Sequence, residues 1–204
     1  MTKSAAPYHH GSLKDALVDE AAAMIAEGGV DGVTMRAIGE RLGVSRAAPY
    51  RHFPDKTALI VAVAATGFAR LSHRLRSVDA ETAGASLGRI RRMGEEYIRF
   101  AIENPAHYRV MYGKEALARR EQPELRQAGD AIFDHLVDVL RAHQRSGGIK
   151  RQDPRVQAYV AWSAAHGLAS LLIEEQILAD VDVDAVIGQT TNALLNGLRR
   201  RARR

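Results

Sequence analysis

The stretch from Thr34 to Lys56, TMRAIGERLGVSRAAPYRHFPDK, constrains the fold more than any other part of the chain. Thr34 has the chemistry of a helix N-cap, because its hydroxyl can accept from a free backbone N–H one turn later. Ala37, Ile38 and Leu42 then share one apolar face at helical spacing. Gly43 can take the positive φ that ends a helix, Val44 plugs the corner, and Ser45 is placed to cap a second helix beginning at Arg46. Two short helices around a glycine-containing turn make the helix-turn-helix pattern. In that pattern the start of the second helix meets base edges while its flanks hold phosphates. Pro49 stands fourth after Ser45, so its missing N–H forfeits only the bond to the Ser45 carbonyl. So short a helix does not survive alone, and the pattern requires Tyr50 and Phe53 to pin it on the two helices before it. Arg46, Ala47, Arg51 and His52 are left on the exposed side.

Within this stretch, GVSRAAPYRHFPDKTAL resembles the DNA-binding signature of the tetracycline-repressor (TetR) family of bacterial regulators. The core of that signature, aromatic-x-His-Phe followed by x-x-Lys-x-x-Leu, is matched by YRHFPDKTAL. The resemblance implies phosphate contacts from Tyr50, His52 and Lys56, and from Thr34 at its cap position. It implies base contacts from Arg46 and Ala47. Arg36, Ser45 and Arg51 complete the candidate DNA-binding set. Pro49 departs from the bulky apolar residue usual there in the wider family.

Upstream, Tyr8-His9-His10-Gly11 followed by Ser12-Leu13-Lys14 resembles the YHHG-x-L-[RK] entry of a TetR subgroup. Ser12 and Asp15 have capping-box spacing. Leu13, Leu17, Ala21, Met24 and Ile25 form a helical stripe that Gly28-Gly29 stops. The first turn of this helix could bring Lys14 to the DNA backbone. His9 and His10 would point different ways on a helix, and no third ligand is near, so no metal site is expected. Downstream, Asp55 caps a helix to about Val78, long enough to leave the DNA-binding head and link it mechanically to a second domain. Further helices are expected from Glu81 to Glu103, from Ala106 to Tyr112, from Gln122-Pro123 to Gly147-Gly148, from Asp153-Pro154 to about Leu178, and from Asp182 to Leu198. No stretch alternates like a half-buried strand. The expectation is an all-α chain of about nine helices, with a DNA-binding domain over residues 1–56 and an effector-binding and dimerisation domain over 57–204.

The helix from Pro154 is apolar on two sides. Trp162, His166, Ala169 and Ile173 share one face, and Val156, Val160, Ala164, Gly167 and Leu171 the other. A helix apolar on two sides is covered on two sides. One face then meets the domain interior and the other a second subunit, with Val186, Thr190 and Leu194 of the last helix completing a four-helix homodimer interface. Trp162-Ser163-Ala164-Ala165-His166-Gly167 also resembles the Trp-x-x-x-His-Gly hallmark of the WHG-type C-terminal domain of some TetR regulators. The family resemblance implies an effector pocket. Its candidate wall is Tyr97, Phe100, His107, Tyr108 and Met111, with Tyr112, Phe133, Trp162 and His166, a mostly apolar set with a few polar groups. Taken singly, aromatics at this spacing are more often core, and His166 is more often a hydrogen-bonded core histidine.

Charge adds little. The surplus of 29 − 24 = +5 is matched by Arg199, Arg200, Arg201, Arg203 and Arg204, and Lys and Arg balance Asp and Glu from Met1 to Lys56. The arginine run reads as a frayed, solvated end. The chain has no cysteine, hence no disulfide or thiol nucleophile. No signal peptide or membrane-spanning apolar run is expected, which places the protein in the cytoplasm. There is no H-E-x-x-H or phosphate loop, so neither an enzyme nor a cofactor is expected. The favoured reading is a homodimeric repressor that binds a palindromic double-stranded operator and is released by a small apolar effector. Its rivals are a constitutive DNA-binding protein without an effector and, more remotely, an enzyme using the C-terminal pocket.

Overall fold

The computed structural model describes residues 12–81, 86–113, 122–177 and 180–199. His9, His10 and the arginines from Arg200 onward lie outside these residues. The described residues form eight α-helices, two short 3-10 turns and no strand. The helices are α1 (Leu13–Gly28), α2 (Met35–Arg41), α3 (Lys56–Glu81), α4 (Leu87–Glu103), α5 (Pro105–Tyr112), α6 (Pro123–Arg145), α7 (Pro154–Ile173) and α8 (Val183–Leu198). The chain divides into two compact units, Met1–Val63 and Ala64–Arg204.

The first unit is built by local signals. The Ser12 hydroxyl accepts from the Asp15 N–H while the Asp15 carboxylate accepts from the Ser12 N–H, closing a capping box at α1. Gly29 ends α1 at φ 72°. Thr34 caps α2, accepting from the Ala37 N–H at 3.1 Å, and Asp55 caps α3, accepting from the Ala58 N–H at 2.8 Å. Leu17, Ile25, Val33, Ile38, Leu59 and Val63 meet in a core closed to solvent. Arg41 ties α2 to α1 with paired bonds to Glu27 at 2.7 and 2.8 Å.

The segment after Gly43 (φ 66°) corrects the sequence-based expectation of a second α-helix from Arg46. Residues 46–48 form a turn, and Pro49–Arg51 a single 3-10 turn. The Ser45 carbonyl accepts from the Ala48 N–H at 2.9 Å, one residue short of an α-helical bond, and the His52 N–H donates to Pro49 at 3.1 Å. Proline explains the tightening, since it cannot donate back to Ser45. The bracing also differs. Phe53 is buried as expected, but Tyr50 is 55% exposed, and Ala48 and Pro49 take the inward place. Gly39 of α2 lies beside Pro49, where a Cβ would sit at ordinary contact distance, 3.4 Å from Pro49 Cγ.

In the second unit, α4 packs on α7 and α8, and α6 packs on α7. Asp153 caps α7 through the Arg155 and Val156 N–H groups, with Pro154 in the first turn. Helix α7 stops at Ile173, short of the expected Leu178, because Glu175 turns left-handed (φ 53°) and the Gln176 N–H folds back on Leu171. Helix α4 begins at Leu87, not Glu81, which instead ends α3. Helices α3 and α5 cross closely at Gly67, where a Cβ would lie 2.5 Å from Met111 Sδ and 3.0 Å from His107 Cβ. An isolated bridge between Ile149 and Arg199 fastens the α6–α7 link to the end of α8.

Two helical segments, Lys56–Asp79 and Pro154–Ile173, reach the length and mean hydropathy (1.2) of a membrane-crossing helix, contrary to the expectation of no such segment. Interior helices meet the same criteria, and α3 buries Leu59, Val63, Phe68 and Leu71 within the protein.

Candidate DNA-binding surface and effector cavity

Around the turn after Gly43, the candidate DNA-binding residues Thr34, Arg36, Ser45, Arg46, Ala47, Tyr50, Arg51 and His52 are all exposed, and Lys56 is half-buried. The inward set of Ala48, Pro49 and Phe53 forces this, leaving the alternate residues outside. Lys56 sits at the start of α3 with Nζ 3.5 Å from the Asp31 carbonyl. Lys14 does not stand free: its ammonium lies 5.8 Å above the Phe53 ring. Arg36 is held by Glu40 at 2.8 Å, one helical turn on. That bond, with the nearby charge of Arg46 adding to it, keeps the Glu40 carboxyl below its ordinary range. Glu40 is thus an acid set beside Arg36 and near Arg46 on this surface. The sequence reading passed over it, although its i,i+4 spacing from Arg36 was a visible signal.

The second unit holds a cavity of about 320 Å³. Of the candidate wall residues, Tyr97, Tyr112, Phe133 and Trp162 line it, while Phe100, His107, Tyr108, Met111 and His166 do not. His107 and Met111 lie against Gly67 of α3, and Phe100 is buried. Tyr108 and His166 stand behind the wall in a polar network. Trp162 Nε1 donates to the Tyr97 hydroxyl oxygen at 2.9 Å. Tyr97 lies 3.0 Å from the Tyr108 hydroxyl, which is 2.5 Å from His166 Nδ1. A neutral imidazole protonated at Nε2 satisfies the chain, with the Tyr108 O–H donating to Nδ1. Burial favours that form, pushing His166 below its ordinary value of 6.5. Burial likewise pushes the Tyr97 and Tyr108 hydroxyls up, so both stay protonated. His166 therefore has the surroundings of a hydrogen-bonded core histidine.

Residues that the sequence did not single out complete the cavity. Leu75, Ile90 and Met93 are buried apolar wall, and Asp130, Asp134, Arg155 and Tyr159 stand at its exposed edge. Nothing in the local pattern marks those four, because their convergence depends on how α6 meets α7. No group of three metal-ligating side chains occurs among the described residues.

On the far side of α7, Val156, Val160 and Leu171 are 58%, 57% and 48% exposed. Gly167 is exposed beside them, and Ala164, Val186, Thr190 and Leu194 are half-buried. Val156, Val160, Ala164, Thr190 and Leu194 share a shallow groove between α7 and α8. Exposed apolar side chains gathered on one face are the mark of a surface that another surface covers.

A helix-turn-helix unit followed by a helical unit with an internal apolar cavity defines a class of DNA-binding regulator, and comparison with known proteins agrees. The model described as "Bacterial regulatory proteins, tetR family" matches residues 17–63. The model described as "Tetracyclin repressor-like, C-terminal domain" matches residues 90–194, just over half of the chain and including Trp162, His166 and Gly167. The chain is 23% identical over 189 residues to the uncharacterized HTH-type transcriptional regulator YobS of Bacillus subtilis, covering 92% of this chain and 93% of YobS. It is 31% identical over 142 residues to the nucleoid occlusion factor SlmA of Haemophilus influenzae, covering 65% of this chain and 62% of SlmA. The chain thus spans less than two thirds of SlmA. Among solved structures, a protein of unknown function from Rhodococcus sp. RHA1 is similar at a TM-score of 0.80 and 31% identity, over 96% of this chain and 100% of that one. The chain belongs to the TetR family and is a DNA-binding transcriptional regulator of that type.

Proposed function

We propose that this regulator is a homodimeric repressor, acting in the cytoplasm, that binds a palindromic operator and is released from it by a small, largely apolar effector. The observation that carries the reading is the cavity of about 320 Å³, walled by Tyr97, Tyr112, Phe133, Trp162 and apolar residues, in a regulator of this family. Arg46 and Ala47 are assigned to bases, with Arg51 beside them. Thr34, Tyr50, His52 and Lys56 are assigned to phosphates, and the DNA-binding domain to residues 1–56. Val156, Val160, Gly167 and Leu171, with Val186, Thr190 and Leu194, are assigned to the partner subunit. Two copies related by a two-fold axis would offer two reading turns about 34 Å apart, one DNA turn, or a multiple of it. An effector that prefers the non-binding state draws the population away from the operator, acting through α3, which contributes residues to both units.

The test is to challenge the operator complex with apolar small molecules while following DNA release and Trp162 emission together. The reading expects a compound that perturbs Trp162 and lowers operator affinity. Compounds that fill the cavity without changing DNA affinity would favour constitutive DNA binding.

A further inference from the structure

The cavity sorts its polar groups by depth. In its wall, the Tyr97 hydroxyl already accepts from Trp162 at 2.9 Å, and the Thr191 hydroxyl donates to the Ile187 carbonyl at 3.0 Å. Leu75, Ile90, Met93 and Leu194 offer no hydrogen bond at all. A polar ligand group buried here would find few hydrogen-bonding partners not already engaged, a cost that an apolar group avoids.

Charge is confined to the rim. Among the described residues, the charged side chains lining the cavity are Asp130, Asp134 and Arg155, and all three are exposed. Arg155 is already engaged: it bonds Asp134 at 3.0 Å, and its guanidinium lies 5.3 Å from the Phe133 ring centre. Asp130, one turn before Asp134 on α6, has no ion pair among the described residues, so the rim carries net negative charge. Beside it the Phe133 ring packs 4.5 Å from Tyr159 and 6.0 Å from Trp162. Aromatic faces attract cations, and Arg155 over Phe133 is the protein's own instance.

We propose that the effector is an amphiphile with a hydrocarbon body and an organic ammonium head. The body fills the apolar wall, and the head sits at the rim between Asp130 and the aromatic rings. This rests on the effector reading above and adds to it the ligand's charge. A carboxylate head would instead face Asp130, with Arg155 and Asp134 engaged with each other.

Trp162 is the only tryptophan in the chain and lines the cavity, so its emission reports occupancy. The full chain is titrated with octyltrimethylammonium, octanol and octanoate. The ammonium is expected to bind about tenfold tighter than the carboxylate at low salt, with the gap narrowing as salt rises. Asp130→Asn should narrow the same gap, while a melting temperature equal to that of the wild type shows that the variant is folded. Octanoate binding as tightly as the ammonium, or a preference that survives Asp130→Asn, overturns the proposal. Uptake of octanol without the ammonium overturns the charge assignment and leaves the effector reading standing, whereas uptake of none of the three overturns both.

Discussion

The reading turn and the cavity handle polar groups in opposite ways. Around the turn, Arg46, Tyr50, Arg51 and His52 are pushed outward by the inward packing of Ala48, Pro49 and Phe53. In the cavity unit, Trp162, Tyr97, Tyr108 and His166 satisfy one another. Unsatisfied polar groups at a surface can exchange water for phosphates and base edges. A satisfied network in a wall leaves a ligand to be chosen by shape, apolar area and whatever charge stands at the rim.

The largest expected effect breaks the support of the turn. Ile38→Ala removes a side chain with no solvent exposure from the first unit's core and should cost about 2–5 kcal/mol. Thermal unfolding would register this, with loss of DNA binding on every sequence, while Trp162 emission at low temperature stays in place. A shifted Trp162 emission would mean that the two regions are less separable than the contrast requires.

Next come the substitutions on the turn itself. Arg46→Ala should cost about 1–3 kcal/mol and relax one operator position if the side chain makes a bidentate guanine contact. Lys56→Ala should weaken all sequences alike and reduce the salt slope by about 1. Equal losses from Arg46→Ala on operator and random DNA would remove base reading from that residue.

The cavity network predicts a pH effect of definite sign. With the folded His166 imidazole held below its ordinary 6.5, the unfolded chain takes up a proton near that value that the folded chain refuses. The stability tied to His166 is therefore complete above 6.5 and declines as the pH falls through it. Between about pH 7 and about pH 5 the melting temperature of the wild type should fall more steeply than that of His166→Asn. Equal slopes would show that the network does not depend on a neutral ring.

The smallest effect sharpens the contrast from the DNA side. Glu40→Gln frees Arg36 from its 2.8 Å partner and removes a negative charge near Arg46. Affinity for any duplex should rise severalfold, with a steeper salt dependence. No change in a filter-binding titration would mean that Glu40 does not compete with phosphate.

What the sequence disclosed follows the range of the interactions. The caps at Ser12, Thr34, Asp55 and Asp153, and the stops at Gly29 and Gly43, are set within a few residues, and each appears where its chemistry placed it. Pro49 shows where local reading falters. The lost bond was foreseeable, but the exchange of Tyr50 for Pro49 on the inward side depends on how the turn packs against α2, an element outside the local stretch. The cavity divides likewise. Tyr97, Tyr112, Phe133 and Trp162 announce themselves by residue type. Asp130, Asp134, Arg155 and Tyr159 are ordinary surface residues on their own helices and become a rim only when α6 and α7 pack together.

The most direct test of the central claim is selection of the purified protein on random duplex, followed by measurement of the number of chains per selected site. The account predicts an inverted repeat with half-site centres one helical turn, about 34 Å, or a multiple apart, bound by a symmetric set of subunits whose preference weakens in Arg46→Ala. A protein that remains a single chain at working concentration, and that prefers no inverted repeat over scrambled competitor, would contradict it.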